Sequence, residues 1–216
     1  MQTNKVGIND ITGRDGEQCP GGAMNPREKL EGAKQSERLG SDVIEAGFPV
    51  ISDGDFEAVH TIASEIKIPI ISALARCIPK DIESAGAAVK PAGSRGRIHV
   101  FLATSKIHRD AKFKGKEEPE ILRLAVQSVQ HAKTLVHDVQ FSPEDATRTR
   151  PEFLVEICQA VLAAGATVFN IPDTVGWAVP AQYAELVGRL YREVPEFQSE
   201  KAIISVHCHD DLGLAV

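Results

Sequence analysis

Thr12-Gly13-Arg14-Asp15-Gly16-Glu17-Gln18 follows the first apolar run, Val6–Asp10, and its chemistry decides the fold. An open doubly wound sheet usually turns here through Gly-x-Gly-x-x-Gly, whose glycines let the backbone approach a pyrophosphate. This turn carries an arginine and two acids instead. Charged groups at the C-terminal end of a strand are what a (β/α)₈ barrel uses for catalysis. Working outward, six more strand candidates appear: Asp42–Gly47, Ile68–Leu74, Arg97–Thr104, Asp138–Ser142, Ala166–Pro172 and Ala202–His209. Helix candidates alternate with them at Pro26–Leu39, Asp53–Glu65, Lys80–Val89, Glu118–His137, Arg150–Ala164 and Pro180–Val194. Pro26, Pro151 and Pro180 sit where a first-turn proline is tolerated, and Gly40 and Gly165 where a helix C-cap is expected. Alternation with near-continuous apolar strands means a parallel sheet covered by helices. The fold class expected is α/β, a (β/α)₈ TIM barrel truncated after its seventh strand, as one domain over residues 1–216.

Composition excludes several classes. A net charge of −6 gives no general attraction to nucleic acid or an anionic membrane. No apolar run approaches the roughly 20 residues of a bilayer span. Met1-Gln2-Thr3-Asn4-Lys5 is not followed by the apolar stretch of a signal peptide. The four cysteines, Cys19, Cys77, Cys158 and Cys208, are far apart, as in a cytoplasmic protein with reduced thiols.

The last strand candidate ends in His207-Cys208-His209-Asp210-Asp211. Side chains alternate across a strand, so His207 and His209 share a face and Cys208 takes the other. The other strand ends add Arg14, Asp15 and Gln18; Glu45; Arg76; His99, Thr104 and Ser105; Ser142 and Glu144; Asp173 and Thr174. Polar groups converging from separate strands suit an active site. Bland readings stand beside this one: Glu45 with Arg76 as a structural ion pair, Thr174 as a turn cap, Glu144 as a solvated loop carboxylate. Asp15 with His207 and His209 offers mixed oxygen and nitrogen ligation for Mn²⁺, Mg²⁺ or Zn²⁺.

These residues resemble a known family. Gly13-Arg14-Asp15-Gly16-Glu17-Gln18 followed after ten residues by Lys29 is similar to the first signature of the 2-isopropylmalate and homocitrate synthases. Ser205-Val206-His207-Cys208-His209-Asp210-Asp211-Leu212-Gly213 is similar to their second. Asp42–Pro49 with Gly54-Asp55-Phe56, Arg97–Ser105 and Asn170–Gly176 resemble the 2-isopropylmalate branch in particular. The resemblance implies a pyruvate-carboxyltransferase-like barrel that condenses acetyl-CoA with 2-oxoisovalerate, the committed step of leucine biosynthesis. It implies Asp15, His207 and His209 as metal ligands and Arg14 as the arginine that binds the oxo acid and its developing oxyanion. It implies His99, Ser142 and Thr174 as substrate contacts and Glu144 as a catalytic carboxylate. Small-molecule substrates and a homodimer or higher homo-oligomer are the partners expected. Related readings are homocitrate or citramalate synthase, a lyase of the same barrel family, or a non-catalytic metal-binding barrel fragment. One departure stands out: Ile11-Thr12-Gly13 replaces the usual Thr-Thr-Leu and gives the loop more backbone freedom. The family's eighth strand, further asparagine ligand and glycine-rich loop lie beyond Val216, so the chain alone is expected to be inactive.

Overall fold

Short polar residues and prolines set the helix starts. Asn25 accepts from the backbone N–H of Arg27 and Glu28 at 3.0 Å each, and Glu28 accepts from the Asn25 N–H at 2.8 Å, a complete capping box. Pro26, Pro151 and Pro180 all occupy first-turn positions, as expected. Gly40 ends its helix with φ 89°, a left-handed cap that costs a glycine little.

The computed structural model describes residues 6–199 and 201–216, which leaves Met1–Lys5 and Glu200 outside the described residues. The elements are β1 (Asn9–Asp10), α1 (Pro26–Leu39), β2 (Val43–Gly47), α2 (Asp53–Glu65), β3 (Ile70–Arg76), α3 (Pro79–Val89) and β4 (Gly96–Ala103). There follow α4 (Lys106–Phe113), α5 (Glu118–Leu135), β5 (Asp138–Glu144), α6 (Pro151–Ala163), β6 (Val168–Asp173), α7 (Pro180–Glu193), α8 (Pro195–Gln198) and β7 (Ile203–Cys208). The strands keep chain order, β1 to β7, in one sheet. None of the described helices is long and apolar enough to cross a membrane.

Contacts group the chain into two compact units. The first holds the described residues up to His99 together with Leu135–Asp138. Its β1, β2 and β3 pair in parallel, with an irregularity in register between Glu45 and Gly47. Every residue of β2 is buried. Val59 and Ile62 of α2, Ile71 and Ala73 of β3 and Ile82 of α3 are likewise shielded from solvent. Each buried isoleucine contributes about 1.5–3 kcal/mol over exposure. The second unit holds Val100–Thr134 and Val139–Val216. Its β5, β6 and β7 pair in parallel, with Pro172 opposite His207 and Asp173 opposite Cys208. Phe141 and Phe169 stack at 6.1 Å in its core, with Phe153, Leu154, Ile157 and Ile171 also fully buried.

Three expectations are corrected. The first strand is only two residues long. The Asp42 carboxylate takes the Ile8 N–H at 2.9 Å, so the ladder starts one residue later, and Val6 and Ile8 are exposed. The last strand forms beside β6, and among the described residues Ile203 and Val206 are 60% and 57% exposed, not buried. The segment after Thr104 contains a helix, α4, where no element was expected. Its sequence is mostly polar, and Ser105 starts it by capping the His108 N–H at 3.2 Å.

Candidate active site

In the first unit the site grows from the turn after β1. The N–H groups of Arg14, Asp15 and Gly16 all reach the Ile11 carbonyl, at 3.1, 2.9 and 3.2 Å. That fan of bonds holds the loop despite Gly13. A Cβ at Gly13 would lie 3.4 Å from the Ala46 carbonyl oxygen, close to ordinary contact. Arg14 donates through Nε to Glu45 at 2.6 Å and through Nη1 to Asp15 at 2.7 Å. The other oxygen of Glu45 meets His99 Nδ1 at 2.5 Å. Thus Glu45 joins Arg14 to His99, and Arg14 in turn holds Asp15.

Glu45 is 0% exposed. Burial pushes its carboxyl up, but the facing His99 and Arg14 override this and hold it well below the usual carboxylate range. Arg14 loses from burial and gains more from Glu45 and Asp15, so its guanidinium is held more firmly protonated than usual. Arg76 does not pair with Glu45. It binds Asp81 through Nε at 2.5 Å and lies over the Phe48 ring at 5.7 Å. Lys29 of the first signature is buried, with Glu17 at 2.5 Å and Asp55 at 3.1 Å, and ties the loop to α2.

In the second unit the expected residues sit on β5, β6, β7 and the turns after them. Ser142 accepts from Asn170 at 2.9 Å. Thr174 accepts the Asp145 N–H at 2.9 Å, as the turn-cap reading expects. The His207 and His209 rings stack with centroids 4.8 Å apart on one face, as the alternation requires. Cys208 takes the other face, beside Tyr183 and Asp173, where burial raises its thiol. Gly176 packs under this strand end at φ 58°. A Cβ there would fall 2.3 Å from an Asp211 carboxylate oxygen and 2.9 Å from the His209 carbonyl oxygen. Glu144 is no solvated carboxylate: its Oε1 takes Lys112 Nζ at 2.5 Å, and His108 Nδ1 lies 3.6 Å from the same oxygen.

The most buried acid of this unit went unread in the sequence. Asp145 is wholly buried at φ 65°, accepts Arg148 Nε at 2.8 and 3.0 Å, and takes the Ser105 hydroxyl. A local sign existed, since Asp tolerates the left-handed region better than most residues. Lys112 and His108 carried no signal, because the helix that bears them was not expected.

Comparison with known proteins now decides the family, because the HMGL-like pattern matches residues 5–216. The chain belongs to the HMGL-like family. This HMGL-like chain is 59% identical over 216 residues to a 2-isopropylmalate synthase of Methylacidiphilum infernorum, covering 100% of the chain and 42% of that relative. It is 53% identical over 212 residues to one of Pyrococcus abyssi, covering 98% and 43%. The chain thus spans about two fifths of the length of these curated relatives. Among solved structures, hydroxymethylglutaryl-CoA lyase from Pseudomonas aeruginosa aligns with TM-score 0.74 at 20% identity, over 98% of this chain and 70% of that one. An HMG-CoA lyase from Acinetobacter baumannii, solved with coenzyme A and 3-methylmalate, aligns with TM-score 0.72 at 18% identity, over 97% and 68%. At that identity the likeness is one of fold, and it agrees with the strand order in placing this chain among (β/α) barrels of the TIM type.

Proposed function

We propose that this chain is the N-terminal catalytic portion of a 2-isopropylmalate synthase, which condenses acetyl-CoA with 2-oxoisovalerate to 2-isopropylmalate and CoA. The observation that carries the reading is identity of 51–59% along essentially the whole chain to relatives of that name. Two oxygen- or nitrogen-bearing signatures, at Arg14-Asp15 and His207-Cys208-His209, fall at strand ends, where barrel enzymes keep their chemistry.

On this reading Asp15, His207 and His209, which match the ligand positions of the two signatures, would hold a metal ion. One carboxylate and two imidazoles fit a borderline or hard divalent ion, so Mn²⁺, Mg²⁺ and Zn²⁺ all remain chemically suitable. Such an ion, when bound, polarises a carbonyl as a Lewis acid.

The remaining steps belong to the chain's own residues. Arg14 donates through Nε to Glu45 and through Nη1 to Asp15, and on this reading its Nη2 donors serve the oxo acid. Fixed in this way, the guanidinium can pair with the substrate carboxylate or stabilise the alkoxide that forms at C2. Glu45 serves as the buried anion that orients Arg14 and His99 together, and His99 contacts the oxo acid from that position. Ser142 and Thr174 offer hydroxyls to the substrate. Glu144 acts as a carboxylate in proton transfer. Acetyl-CoA is the co-substrate, in keeping with the coenzyme A bound by the Acinetobacter baumannii lyase.

A side-by-side assay of CoA release with 2-oxoisovalerate, 2-oxoglutarate and pyruvate tests the reading in the full-length protein. Preference for 2-oxoisovalerate is expected. Preference for 2-oxoglutarate or pyruvate would reassign it to homocitrate or citramalate synthesis, and no release with any would refute the condensation.

A further inference from the structure

We propose that Lys112 and His108 of α4 are positioning residues for Glu144: they fix its Oε1 and thereby reserve Oε2 for reacting groups. This rests on reading Glu144 as part of the condensation site. Two donors from one face of α4 converge on a single oxygen. Lys112 Nζ donates to Oε1 at 2.5 Å, and His108 Nδ1 stands 3.6 Å from it. Residues four apart on a helix lie on the same side, so the pairing follows from the helix itself.

The ring of His108 can be given its proton from its neighbours. Arg148 Nη2 lies 3.4 Å from His108 Nε2. A guanidinium only donates, so Nε2 accepts and the proton of the neutral ring is on Nδ1. A doubly protonated ring would carry a proton there as well. Nδ1 therefore presents a buried N–H, and it has no hydrogen-bond partner among the described residues. The carboxylate oxygen it faces is Oε1 of Glu144. A buried donor without an acceptor is unfavourable, and a closure of a few tenths of an ångström onto Oε1 relieves it. Oε2 of Glu144, by contrast, accepts no hydrogen bond from the described residues.

The frame behind these donors is stiff. Ser105 caps α4 and gives its hydroxyl to Asp145, which is wholly buried. Asp145 also takes both bonds from Arg148, the residue that sets the His108 tautomer. The residue next to Glu144 is thus bound to the start of the helix that carries its two donors. Lys112 and His108 of α4 face Glu144, while Arg148 and Asp145 lie at the far side of the His108 ring, with Asp145 Oδ2 3.9 Å from Nε2.

The test has two arms in the full-length protein. Long-range proton–nitrogen spectra of histidine-labelled protein, assigned with His108→Asn, read the tautomer without needing turnover. A proton on Nδ1 whose signal moves in Glu144→Gln is expected; a proton on Nε2, or an unmoved Nδ1, overturns the proposal. In the CoA-release assay, Lys112→Met, at a half-exposed position that tolerates the change, should lower kcat about tenfold or more with KM for 2-oxoisovalerate nearly unchanged. Lys112→Arg should recover most of it. Equal losses in both variants, or a loss confined to KM, overturn the proposal. Absence of CoA release from the unaltered protein would refute the condensation reading, while the spectra would still decide the cradle.

Discussion

Replacing Glu45 by glutamine keeps the shape of the side chain and removes the charge that joins Arg14 to His99. Two short hydrogen bonds, at 2.6 and 2.5 Å, and a longer one from Ser72 at 3.4 Å end on that carboxylate, and the group is fully buried, so solvent does little to screen them. Bonds to charged groups are worth about 1.5–3 kcal/mol each. Arg14 keeps Asp15 at 2.7 Å, which recovers part of the loss. The net destabilisation at pH 7 should be about 3 kcal/mol, at the low end of what breaking a buried ion pair costs. At roughly 2–4 °C per kcal/mol for a chain of this size, the melting temperature should fall by about 10 °C. The pH dependence is a second check. The Glu45 carboxyl is held below its ordinary value of 4.5, so its contribution is complete above that pH and is lost as pH falls below it. The gap between the unaltered protein and Glu45→Gln should narrow by about 1.4 kcal/mol per pH unit below 4.5. Calorimetric melts at pH 7 and at lower pH measure both. A melting temperature within about 2 °C of the unaltered protein at pH 7 would refute the assignment of Glu45 as the ionised centre of this network.

Two further outcomes follow from the second unit. Asp145→Asn, which can keep the left-handed backbone, should cost about 2–3 kcal/mol by weakening the bonds from Arg148 and Ser105, and urea unfolding measures it. Gly176→Ala should displace the His209–Asp211 backbone, because its Cβ would meet the Asp211 N and the His209 O at 2.9 Å; Mn²⁺ affinity by titration calorimetry should fall about tenfold.

Local chemistry made much of this molecule legible. The bounds of α1 and α2 could be read to the residue, because Asn25-Pro26 with Glu28, and Ser52, are start signals that need no tertiary context. Arg14, Asp15, His207 and His209 stood out as charged or imidazole groups directly after apolar runs. The coupling of Glu45 to His99 could not be read, since the pair is 54 residues apart and meets only when the strands pair. Helix α4 hid for a second reason. At eight residues with few apolar side chains, it is held by Ser105, Asp145 and the bond from Lys112 to Glu144, none of which leaves a periodic trace.

Asp15, His207 and His209 are proposed to hold one divalent ion together. Titration calorimetry with Mn²⁺ on the unaltered protein and on Asp15→Asn, His207→Ala and His209→Ala tests it most directly. One ion per chain is predicted, with affinity reduced about tenfold or more in each variant. Binding that survives unchanged in any of the three would contradict it.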